Sequence, residues 1–168
     1  MKVETYLKKP DLILPGNFMD EPNKYFIHMD NEIEIEKYIH KFDLRYLDGA
    51  IVIEWNYKIV LDYNLWDSVN CLWDYLMNAL EEYLQMGKGD FLFPDQPIKF
   101  EMIKVNSYYM ELKVGDGKYG HFKLPSEEFI HALLNGAEHF YRRYKEYFNS
   151  HNNAFYHSKI AEIRRSLY

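Results

Sequence analysis

A single cysteine, Cys71, stands among 168 residues. One thiol cannot build an internal disulfide framework, and it excludes every multi-cysteine zinc site. No stretch approaches the ~18–20 consecutive apolar residues of a membrane span. The opening residues, Met1 to Pro10, lack the apolar core of a signal peptide. The expected location is therefore the cytoplasm, where a lone thiol stays reduced. No Gly-x-Ser-x-Gly elbow, Walker loop or dinucleotide fingerprint occurs, so no cofactor is expected. Gly115-Asp116-Gly117-Lys118 lacks the glycine spacing of a phosphate loop and reads as a hairpin turn. Cys71 falls beside Leu72 in a helical pattern, with no close cation in sequence. That reads as a packed small residue rather than a nucleophile.

What is present suits one domain over residues 1–168. Hydrophobic residues make up 48 % and charged residues 27 %, which excludes wholesale disorder. A chain of this length buries roughly 70 % of its unfolded surface and needs no covalent staple. Its 20 basic and 26 acidic residues leave a net charge of −6. Residues 142–168 carry six basic side chains against two acidic ones, a net of +4, which leaves −10 for residues 1–141. Such a charge repels nucleic acid and anionic lipid on average and steers basic partners. The 16 tyrosines read first as ordinary half-buried sheet residues, with binding-surface residues as the alternative.

Along the chain, Pro10, Pro15, Gly16 and Pro22 make residues 1–24 an irregular arm. Ile33, Ile35 and Ile39 alternate with glutamates, as in a short strand. Leu44 and Tyr46, an Asp48-Gly49 turn and Ala50–Trp55 read as two strands, and Asn56-Tyr57 turns the chain into a third. Residues 65–86 carry the apolar stripe of an amphipathic helix, with Asn64 as N-cap and Gly87 just past its end. Ile98 to Val114 alternate with one break of phase at Ile103, the mark of a bulge. Asp116-Gly117 turns into Tyr119–Leu124, and Pro125-Ser126 opens a second long helix that Asn149–Asn153 breaks. A short helix over 157–167 closes a C-terminal extension, residues 150–168. The fold class is α+β: antiparallel meanders of about five to six strands, with two long amphipathic helices packed on one face.

Candidate sites are sparse. Glu128 and His131 stand three apart, like half of a di-iron carboxylate site, but no second Glu-x-x-His exists and no metal is expected. Glu128, His131, Asn135, Glu138 and Arg142 form one polar helical row. Asp67, Asn70 or Cys71, Asp74, Asn78 and Glu81 form another. Asp67, Asp74 and Glu81 are the expected partner-binding set, an acidic row on one face. In size, charge and α+β pattern, residues 43–149 resemble the small acidic immunity proteins that neutralise bacterial polymorphic toxins. The resemblance implies a non-catalytic protein-binding domain whose partner is a toxin domain such as a basic nuclease. Two alternatives stand beside it. One is a small enzyme with a carboxylate and histidine site in a helix–sheet cleft. The other is single-stranded nucleic-acid binding by Arg142, Arg143, Lys145, Arg164 and Arg165 among Tyr141, Tyr144, Tyr147 and Tyr168. The acidic balance disfavours nucleic acid, no membrane partner is expected, and self-association is left open.

Overall fold

The computed structural model describes residues 1–149 and 153–167, with the backbone alone for 153–157. It is an α+β fold of two antiparallel sheets. The first sheet contains β1 (Lys2–Lys8), β2 (Phe26–His28), β3 (Asp48–Trp55), β4 (Lys58–Leu61) and β5 (Asp67–Ser68), in the order β2-β1-β3-β4, with β5 also on β3. The second contains β6 (Lys88–Leu92), β7 (Lys99–Lys104), β8 (Tyr109–Val114) and β9 (Gly120–Pro125), in sequence order. The helices are α1 (Glu32–Tyr38), α2 (Val69–Met86), α3 (Ser126–Phe148) and α4 (Asn153–Ser166).

The expected irregular arm over 1–24 is corrected at its start, since β1 lies between β2 and β3. Thr5 and Leu7 point inward and are buried, while Lys2, Glu4, Tyr6 and Lys8 alternate with them. The prolines begin only at Pro10, after the strand, where they cost the ladder nothing. The expected strand at Ile33–Ile39 is instead α1. Asn31 Oδ1 accepts from the Glu34 N–H at 3.2 Å, which caps a first turn that also holds Glu32 and Glu34. Ile35 is fully buried and Ile33 lies three-quarters exposed.

Asp48-Gly49 does not turn the chain either. β3 is one strand, and Gly49 is required by close packing: a Cβ there would stand 2.3 Å from the Tyr6 carbonyl oxygen. Asn64 is not the α2 cap. Residues Tyr63–Leu65 form a 3₁₀ turn, Asp67-Ser68 pair with β3, and the helix begins at Val69 with Gly87 at its end at φ 75°. The phase break at Ile103 marks the approach to the 105–108 loop between β7 and β8, whose register runs without a shift. Asn56 and Tyr57, at φ 47° and 62°, form the two-residue turn expected of them. The strands number nine among the described residues, because β2, β5 and β6 carry too little alternation to be detected and β1, which does alternate, falls in the stretch expected to be an irregular arm.

The core is continuous across both sheets and the helices. Trp73, fully buried on α2, donates its indole N–H to Thr5 Oγ1 of β1 at 3.1 Å and stacks on Phe140 of α3 at 6.1 Å. Gly136 lets α3 approach β1, since a Cβ there would meet Val3 at 2.7 Å. Gly89 brings β6 onto α2 in the same way, facing the Ala79 carbonyl. Ile160 and Ile163 of α4 are buried in this core, and Lys159 and Arg164 reach carboxylates on α2 and α3. α4 therefore closes over the outer side of the α2–α3 pair.

Candidate functional site

The three acids expected to face a partner have separate fates. Asp67 is 2 % exposed. Its Oδ1 accepts from the Ser68 N–H at 2.7 Å and its Oδ2 from the Asp95 N–H at 3.1 Å, so it ties β5 to the loop between β6 and β7. Burial raises its carboxyl pKa above the ordinary value, outweighing the Ser68 and Asp95 amides that favour the anion. Asp74 accepts from the Tyr141 hydroxyl at 2.7 Å across the α2–α3 contact. Glu81 holds Lys159 of α4 at 3.0 Å. The three acids do not form one open acidic face, because Asp67 is buried against the 93–97 turn, Asp74 is engaged by Tyr141 of α3 and Glu81 by Lys159 of α4. The second row is likewise engaged: Arg164 bridges Asn135 and Glu138, each at 2.8 Å.

Of the expected basic and aromatic cluster, Arg142, Lys145 and Arg165 are exposed, whereas Arg143 and the described rings are engaged within the fold. Arg143 pairs with Glu32 at 2.7 Å, Glu146 at 2.6 Å and Asp30 at 3.3 Å, and stacks on Tyr147 at 4.7 Å. Tyr144 packs between Phe140 and Phe148. These rings have partners other than nucleic-acid bases. Tyr168 lies outside the described residues. Cys71 is half-buried in α2, and no group of three or more metal-ligating side chains occurs among the described residues.

Two features had no sequence signal. In the cleft between α3 and the edge formed by β1 and β2, Asp30 receives His139 Nε2 at 2.8 Å, and His28 stands 3.3 Å from Glu4. The Asp30 N–H also donates to His28 Nδ1 at 3.1 Å. These contacts come from residues up to 109 positions apart and pin α3 to the first sheet.

The second feature is a groove of about 350 Å³ at the seam of the two sheets, lined by Asp48, Trp66, Asp67, Asp95 and Gln96. β3 supplies Asp48, β5 supplies Asp67, and the rigid Phe93–Pro97 turn supplies Asp95 and Gln96. Gln96 Nε2 donates to the Trp66 carbonyl at 2.6 Å and holds that turn in place. The Lys8 ammonium lies beside the groove, 5.3 Å from the Trp66 ring centre and 3.4 Å from Asp48 Oδ2. Asp95 is exposed and has no ion-pair partner among the described residues. An indole face flanked by carboxylates is a cation-binding arrangement. Of the expected partner-binding residues, only Asp67 belongs to it.

The chain matches no family model, no curated protein and no solved structure in the comparisons. No helix among the described residues is long and apolar enough to cross a membrane.

Proposed function

We propose that this protein is a non-catalytic protein-binding domain whose seam groove receives a basic segment of its partner. The observation that carries the reading is the seat of Lys8. An ammonium already rests against Trp66 and Asp48, while Asp67 and Asp95 in the same groove are left without a cation. An incoming arginine or lysine would pair with the exposed Asp95 carboxylate, while the buried Asp67 carboxylate lines the same groove. The surrounding charge, net −6 for the chain, would speed that encounter. That the partner is a basic toxin domain rests on the resemblance to immunity proteins.

The test is a titration with an arginine-rich peptide, read by Trp66 emission with Trp66→Phe as the blank. We expect saturable quenching that weakens with salt, and a loss of affinity of about tenfold, or 1.4 kcal/mol, on Asp95→Lys. The same reversal at exposed Glu36, which lies outside the groove, should cost far less. Equal losses at both positions would reduce the effect to net charge and defeat the reading.

A further inference from the structure

A second cavity lies at the other end of α2, whose 18 residues span about 27 Å at 1.5 Å per residue. It measures about 260 Å³. Its apolar wall is Leu84 from α2, Ile130 from α3 and Leu167 beyond α4. Its polar wall includes Lys104, Ser107, Ser126, Glu127 and His131. We propose that this cavity binds a small amphipathic organic anion, with the carboxylate or phosphate group at Lys104 and the apolar part on Leu84, Ile130 and Leu167.

Charge complementarity selects the anion. Lys104 has no carboxylate partner among the described residues, although ion pairs engage most lysines of this acidic chain. The carboxylate that lines the cavity, Glu127, does not pair with it: Glu127 is 91 % exposed and lies 3.9 Å from His131. Ser126 is 92 % buried; its Oγ accepts from the Tyr83 hydroxyl at 3.3 Å, which leaves its own proton available to an anion.

The walls are formed in advance. Asn106 Oδ1 accepts from the N–H groups of Tyr108 and Tyr109, each at 2.9 Å, and the Ser126 N–H donates to the Tyr108 carbonyl at 2.9 Å. The loop carrying Lys104 and Ser107 is thereby fixed to the start of α3, so little ordering cost opposes binding. Lys104 is exposed and its ammonium hydrated, so an anion gains over a neutral molecule of the same shape by its Coulomb attraction to that charge.

The experiment titrates isotopically labelled protein with hexanoate, with hexanol as the neutral analogue and inorganic phosphate as the charge without a chain. The amide signals of Ser107, Ser126 and Ile130 are followed. We expect saturable shifts confined to this region, with hexanoate binding about tenfold more tightly than either control. Lys104→Met should erase the preference for hexanoate over hexanol, and Leu84→Trp should block both while leaving distant signals in place. Absence of saturable shifts at these amides, equal affinity for hexanoate and hexanol, or a preference that survives Lys104→Met would each overturn the proposal. None of these outcomes depends on the seam groove, since its residues line neither wall.

Discussion

The four strands of the second sheet follow one another over residues 88–125, each paired with the next across a short connection. The first sheet is assembled from a distance. β1 pairs with β2 some twenty residues away and with β3 more than forty away, and β5 returns to β3 after β4. Their outer faces differ too. The second sheet shows a ladder of paired charges, Lys88–Glu101 at 2.9 Å and Lys99–Asp90 at 3.3 Å among them. On the first, Tyr63 packs on Tyr6 and Phe26, so aromatic rings cover part of the outer surface. A sheet of consecutive hairpins takes its register from its turns, whereas a sheet of distant strands takes it from the core. The seam groove arises where the two kinds of sheet meet.

The strongest way to break this contrast is through the core that both sheets share. Leu7→Ala in β1 and Leu112→Ala in β8 each empty a fully buried site and should each cost about 2–5 kcal/mol. Denaturant unfolding followed by tryptophan emission and by circular dichroism should show one shared transition in both variants. Two separate transitions would make the sheets independent units. Asp67→Ala removes the clasp at the seam, leaves the buried Ser68 N–H without its acceptor and should cost about 1–3 kcal/mol. Hydrogen exchange should then quicken in 93–97 before it quickens within β7 and β8.

The two hairpin turns sharpen the comparison. Tyr57, 98 % exposed at φ 62°, occupies a position that favours glycine, while Gly117 in the β8–β9 turn has φ 89°. Tyr57→Gly should raise the melting temperature, with a gain of about 0.5–1 kcal/mol once the flexibility of glycine is discounted. Gly117→Tyr should lose about 1–2 kcal/mol.

The smallest effect lies in pH dependence. Because burial raises the Asp67 pKa, its contribution to stability is full below the ordinary value of 3.8 and is lost as pH rises through the raised value. Glu101 works in the opposite sense. The hydrogen bond from Lys88 holds its pKa down, so its contribution is present above 4.5 and is lost as pH falls through the lowered value. Unfolding free energy measured from pH 3 to 7 should therefore rise more steeply in Asp67→Asn and less steeply in Glu101→Gln than in the wild type.

Much of the fold could be read in the sequence because it is local. The stripes of α2 and α3, the Gly87 terminus and the Asp116-Gly117 turn are properties of neighbouring residues, and Trp73, Leu76, Leu80, Leu133, Phe140, Ile53 and Leu112 are buried as their periodicity predicts. The net negative charge follows from composition alone. Tertiary structure decided the rest. Periodicity reports which side of a helix is polar, but it does not report what meets it there, and Lys159 of α4 reaches Asn78 and Glu81 in the polar row of α2. Asp67 has the same side chain whether buried or exposed; the β3–β5 pairing and the Asp95 amide bury it. Trp66, Asp95 and Lys8 are too far apart in sequence to show any common spacing, and only the meeting of the two sheets brings them to one groove.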